Sequence, residues 1–227
     1  MSVSPTLRGT IEALEALYGA APPPISNDPF ELVIWENVVY LADDERRKRG
    51  FEKLRETVGT NPEQILRAPR GQLVTAAREG ILADQVATKL RTAAKMAMDE
   101  FDGDVARVLR RPVASAKRAL RQFPGIGEPG AEKILLFTRM HPFLAPDSNG
   151  LRVLVRLGLC PENSHYGSTY RSARELAQEQ IGDNFESLIS ARYVLRRHGQ
   201  EICRRTTPVC DECWLASECP SVQSDSV

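Results

Sequence analysis

The chain has 227 residues, long enough for one sizeable core or two small domains sharing an interface. Hydrophobic residues make up 42% and charged residues 26%, which excludes a disordered chain, and no apolar run reaches the ~18 to 20 residues needed to span a bilayer. Thirty basic residues balance thirty acidic ones, so the net charge is zero and counts mildly against nucleic-acid binding. Met1-Ser-Val-Ser-Pro has no basic stretch followed by an apolar one, so no secretory signal is expected; the reading is intracellular, with a bacterial cytoplasm expected and a nucleus also compatible.

In chain order the periodicity is helical throughout. Leu7, Ile11, Leu14 and Tyr18 mark a first amphipathic helix. Gly19 to Ser26, with Pro22, Pro23 and Pro24, is a linker no helix continues through. Asp28-Pro29-Phe30-Glu31 is a helix start: Asp28 caps, Pro29 suits the first turn, and Glu31 is placed to complete a capping box. Asn61-Pro62-Glu63 repeats that kind of start, and Val86, Leu90 and Ala94 define one face of a helix from about Ala83 to Phe101. No alternating strand and no long repeat is visible. The fold class is all-α, and the Asp43-Asp44-Glu45 run has no evident role.

Charge is unevenly distributed. Between Val105 and Arg121 lie six basic residues (Arg107, Arg110, Arg111, Lys117, Arg118, Arg121) and no acidic one; Arg192, Arg196, Arg197, Arg204 and Arg205 form a second cluster. The first runs into Phe123-Pro-Gly-Ile-Gly, where Pro124 ends a helix, Gly125 and Gly127 permit the positive φ angles of a tight turn, and Ile126 can plug the junction with the next helix. Such a turn can simply join two helices, yet helix-terminal N–H groups beside it also suit a phosphate. Pro124, Gly125, Ile126, Gly127 and Arg121 are therefore candidate DNA-binding residues.

Four of the five cysteines fall within seventeen residues, as Cys203-x6-Cys210-x2-Cys213-x5-Cys219. Four thiolates so close suit one metal centre, and zinc and a [4Fe–4S] cluster both accept four cysteines. Cys160 stands apart and reads as a buried free thiol.

The hairpin with Ala131, then Pro146-Asp147-Ser148-Asn149 and Leu151-Arg152-Val153-Leu154…Arg156-Leu157-Gly158, resembles the endonuclease III superfamily of helix-hairpin-helix DNA glycosylases, from about Asp28 to Cys219. The x6, x2, x5 cysteine spacing is similar to that family's cluster loop, which implies a structural [4Fe–4S] cluster on Cys203, Cys210, Cys213 and Cys219. The resemblance also implies two helical lobes, residues 28–144 and residues 1–27 with 145–227, with DNA in the cleft. Asp147 would be the catalytic carboxylate that stabilises positive charge on the sugar, and Arg152 a DNA-binding residue. Asp147 can equally cap the helix that follows it.

Two departures bear on chemistry. The position that carries the family's Schiff-base lysine holds Pro129, which favours a monofunctional glycosylase using water. Lys133, one turn on, is the alternative nucleophile, at a position that normally faces the core. Glu36, in Pro29-Phe-Glu-Leu-Val-Ile-Trp-Glu36, falls where mismatch-specific relatives carry an acid in the base pocket, so it is a second catalytic candidate against a plain surface glutamate. Trp35, Tyr40 and Leu41 are candidates for base pocket or wedge. The expected partner is double-stranded DNA with a damaged or mismatched base, bound by a monomer. A bifunctional glycosylase/lyase and a non-catalytic damage sensor stay open, and so does the base.

Overall fold

The structure is a computed structural model, and it describes residues 5–224. Among these residues the protein is helical without strands; its one β-type contact is an isolated antiparallel bridge between Tyr40 and Ile81. No described helix is long and apolar enough to cross a membrane. The chain divides into two compact units, one holding Pro24–His141 and the other the segments before Pro24 and from Pro142 on.

The Pro24–His141 unit contains α2 (Pro29–Asn37), α3 (Asp44–Thr57), α4 (Pro62–Arg67), α5 (Arg70–Ala77), α6 (Ala83–Phe101), α7 (Ala106–Leu109), α8 (Val113–Leu120) and α9 (Glu128–Phe137). α6 is its axis, with α2, α4 and α5 packed on it. Val86, Leu90 and Ala94 all lie on its buried face, as the spacing predicts. Asp28 caps α2 by accepting from the Glu31 N–H at 2.8 Å, but Glu31 completes no capping box. Its carboxylate instead accepts from Thr60 and from Arg55, which tie α2 to its neighbours. The reciprocal box forms at α4, between Asn61 and Gln64. Asp43-Asp44-Glu45 finds its account here. Asp43 caps α3, and Asp44 and Glu45 sit in its first turn, where the helix dipole favours negative charge.

The other unit is built from α1 (Leu7–Tyr18), α10 (Ser148–Arg156), α11 (Tyr166–Gln180), α12 (Phe185–Glu201) and α13 (Pro220–Ser224), with short 3₁₀ turns at Cys210–Glu212 and Ala216–Glu218. α12 is its centre and receives both α1 and α10. α1 buries Leu7, Ile11 and Leu14 as its periodicity requires, while Tyr18 stays half-buried and bonds to His198. Gly199 on α12 lets α10 approach closely: a Cβ there would stand 2.6 Å from the Asn149 carbonyl oxygen.

Candidate active site and cluster loop

The hairpin joins α8 to α9. Phe123 is buried against Phe101, with ring centroids 5.7 Å apart, and anchors the turn from below. Gly125 has φ +74, and a Cβ there would fall 2.6 Å from Asn37 Oδ1. Asn37 is the hidden part of the turn. It is buried, and its amide donates to the carbonyls of Val33 at 2.9 Å and Pro124 at 2.8 Å, so α2 fixes the hairpin's conformation. Gly127 does not use the freedom a glycine permits. Its φ of −86 is extended backbone, because it serves as the N-cap of α9 and only Gly125 makes the left-handed turn. Ile126 is buried in the junction, Pro124 is half-buried, and Arg121 is exposed at the end of α8.

Charge around the hairpin is more committed than the sequence suggested. Lys117 donates to both Glu128 and Glu132 at 2.6 Å, pinning α8 to α9 around a fully buried Glu132. Lys133, on the same helix, forms an ion pair with Glu36 of α2, and the two side chains are only 10% and 17% exposed. Pro129 occupies the first turn of α9, where its missing N–H costs nothing. Glu36 is therefore neither a surface glutamate nor alone.

Tyr40 and Leu41 lie beyond α2 in an exposed turn. Leu41 is 68% exposed and adopts a left-handed backbone, φ +50. The turn is braced from α5–α6: the Ile81 N–H donates to the Tyr40 carbonyl at 3.1 Å, and Lys89 stands over the Tyr40 ring. Ile81 and Leu82 are themselves about half exposed, and Leu82 is also left-handed. Sequence reading missed this pair; the available signal was an apolar dipeptide directly before a helix start. Trp35 points to other work, edge-on to Phe51 with the Arg47 guanidinium over its ring.

In the other unit Asp147 is the N-cap of α10. One carboxylate oxygen accepts from the N–H groups of Asn149 at 3.0 Å and Gly150 at 2.9 Å; the other accepts from the Arg196 guanidinium. Arg192, one turn earlier on α12, holds the carbonyl of Ala145, whose φ is +47. The α12 part of the second basic cluster is thus engaged within the protein, since Arg197 likewise pairs with Glu201 and covers Tyr18, while Arg204 and Arg205 are exposed. Arg152 is also engaged: it donates to the carbonyls of Cys203 and Gly199 and to Asn149, at 2.7 to 3.0 Å, and so fastens the cysteine loop to α10. Arg152 and Arg156 line one wall of an open groove with Tyr166, Asn163 and Arg205.

Cys203, Cys210, Cys213 and Cys219 line one cavity of about 110 Å³ with Val153, Leu157, His198 and Ile202, and none is in a disulfide. Burial, with the neighbouring cysteines, pushes the thiols of Cys210 and Cys213 above their ordinary range, a cost that a bound cation would reverse. Arg156 donates to Cys203 Sγ at 3.4 Å, and His198 Nε2 lies 3.5 Å from Cys213 Sγ. Among the described residues no three His, Cys, Asp or Glu are placed to hold a single metal ion. Four free thiols lining one cavity are a donor set that suits a metal centre.

No model of a known protein family matches the chain. It is 24% identical over 192 residues to endonuclease III of Thermotoga maritima, covering 85% of this chain and 83% of the relative. A trapped endonuclease III–DNA covalent intermediate superposes with a TM-score of 0.76 at 20% identity, covering 97% of both chains. The protein has the endonuclease III fold. A thermostable thymine-DNA glycosylase shares that helix-hairpin-helix glycosylase fold with a TM-score of 0.67 at 17% identity, over 96% of this chain and 97% of the other. Within the endonuclease III fold, Asp147 belongs to the unit that carries the cysteine loop, and Glu36 to the unit that carries the hairpin.

Proposed function

We propose that this protein is a monofunctional DNA glycosylase, which flips one damaged or mismatched base from duplex DNA and hydrolyses its N-glycosidic bond. The observation that carries the reading is on α9. Pro129 has no amine, and the Lys133 side chain is engaged by Glu36 in a largely buried ion pair rather than presented as a nucleophile for C1′. The nucleophile is then water. Asp147, held in one orientation by two backbone N–H groups, sets its charge against the oxocarbenium character of the sugar and positions that water. Gly125, Ile126 and Gly127 present a phosphate site beside exposed Arg121. Leu41 and Leu82, both exposed and both held in left-handed turns, are suited to fill the space a flipped nucleotide leaves, with Tyr40 as a stacking surface. Glu36, with Lys133, is the second polar group offered to the leaving base.

In the same reading Cys203, Cys210, Cys213 and Cys219 hold a [4Fe–4S] cluster, which supplies a cross-link for the loop that carries exposed Arg204 and Arg205. The donor set and the cavity support this, and zinc is the alternative that metal analysis separates.

The test uses end-labelled duplexes, each with an alkylated purine, a deaminated base, an oxidised pyrimidine, a mismatch or an abasic site. Each reaction is split, and half is treated with hot alkali. Strand cleavage that needs alkali establishes the monofunctional reading and names the substrate. Cleavage without alkali, with a borohydride-trapped adduct, overturns it in favour of a lyase. Binding with no excision across the panel overturns it in favour of a damage sensor.

A further inference from the structure

The Asp147 carboxylate has both oxygens occupied by groups of the protein. Two backbone N–H groups hold Oδ1, and Arg196 holds Oδ2. The acid–arginine pair is partly accessible, at 21% and 23% side-chain exposure, so a ligand oxygen can reach the guanidinium. α12 presents Arg192 and Arg196 one turn apart toward the start of α10, and the same helix therefore grips both the Ala145 carbonyl and the Asp147 side chain.

This arrangement conflicts with the work assigned to Asp147 unless it changes. A carboxylate stabilises a developing cation through its net charge, and a guanidinium in contact cancels most of that field. The pair acts at a distance only as a dipole. The geometry points to Arg196 as a hand-over residue: it neutralises Asp147 in the free protein and passes to a backbone phosphate of bound DNA, leaving the carboxylate charged for the reaction. The inference rests on the proposed role of Asp147. It adds a positioning residue that acts through that carboxylate, and a reason why the charge is present only in the complex. Phosphate is the suitable acceptor because a planar guanidinium binds it with two parallel hydrogen bonds, at least as well as it binds a carboxylate.

The experiment measures binding to a duplex containing a tetrahydrofuran abasic analogue, as a function of salt, for wild type and the Arg196→Gln, Arg196→Lys and Asp147→Asn variants. Thermal melting confirms that each is folded. Losing one phosphate contact should make the slope of log affinity against log salt shallower by about 0.9 for Arg196→Gln. Arg196→Lys should keep the wild-type slope. Asp147→Asn should keep the slope and bind more tightly, because Arg196 no longer has to leave a partner. A wild-type slope in Arg196→Gln, or an Asp147→Asn variant that binds no more tightly than wild type, overturns the hand-over. Excision that persists in Asp147→Asn instead sinks the catalytic reading, whatever the slopes. No binding of this duplex by any form sinks both.

Discussion

Lys133→Met tests what the Glu36–Lys133 pair does. The substitution keeps a long side chain on α9 and deletes the ammonium, leaving the Glu36 carboxylate facing an apolar neighbour. Removing one partner of a fully buried pair costs about 3 to 5 kcal/mol, mostly as the desolvation of the charge left behind. Here the side chains keep 10% and 17% exposure, which lets water recover part of that, so about 2 to 3 kcal/mol is expected. The double variant Glu36→Gln with Lys133→Met should return to within about 1 kcal/mol of wild type, since neither charge then needs a partner. Urea unfolding can be read locally. The chain has two tryptophans, and Trp214→Phe leaves Trp35, packed on Phe51 in the same unit as the pair, as the reporter. The single variant should lower the midpoint by roughly 1 M or more. A loss below about 0.5 kcal/mol, or a double variant as unstable as the single one, would refute the claim that the pair is desolvated and mutually dependent.

Other expectations separate neighbouring residues of similar type. Gly125→Ala should cost about 2 kcal/mol and weaken duplex binding, through its left-handed φ and the clash with Asn37, whereas Gly127→Ala should stay within about 0.5 kcal/mol; equal effects would contradict the geometry. Burial raises the Glu31 carboxyl, but hydrogen bonds from Ser26 and Thr60 and the Arg55 guanidinium more than offset this and hold it below its ordinary 4.5. Because its folded pKa is depressed, the stability it contributes is present above 4.5 and is lost as pH falls through the folded value. The advantage of wild type over Glu31→Gln should therefore narrow on acidification, and an advantage that grows would reverse the sign. Burial pushes the Cys160 thiol up to about 11, so it should resist iodoacetamide at pH 8 in the native protein and react once unfolded, as read by mass spectrometry; native labelling would show an open site.

Features that depend on local spacing were legible in the sequence. The buried face of α6, the Asp28 cap and the positions of the four cysteines follow from neighbours a few residues apart. What could not be read depends on which distant groups meet. Asn37 reaches the Pro124 carbonyl across 87 positions, and Glu36 reaches Lys133 across 97. Nothing in either segment marks them as partners, because a buried polar residue looks like a surface one until its partner is known. Gly127 shows a subtler gap. A glycine signals that φ is permitted to be positive, and only the closed turn decides which of two glycines uses that freedom. The arginines of α12 were legible as a cluster but not as a clamp, since their acceptors are a carbonyl and a carboxylate that α10 brings beside them.

The zero net charge, which in composition argued mildly against a DNA partner, has a structural explanation. Some of the cations are engaged by other groups of the protein. Lys117 and Lys133 brace α9, Arg152 and Arg156 hold the carbonyls of the cysteine loop, and Arg196 and Arg197 pair within or beside α12. The total therefore counts charges already engaged by other groups of the protein, on both sides of the balance. Exposed cations are spread along the chain, and some of them stand beside the candidate DNA-binding segments: Arg107, Arg110, Arg111, Arg118 and Arg121 before the hairpin, Arg204 and Arg205 on the cysteine loop. On the proposed function, a chain with zero net charge exerts little long-range attraction on DNA. Its affinity must then come largely from how well a distorted duplex fits the hairpin and the wedge. Undamaged DNA, which resists that distortion, would be released readily, and a neutral composition would serve the search for a lesion.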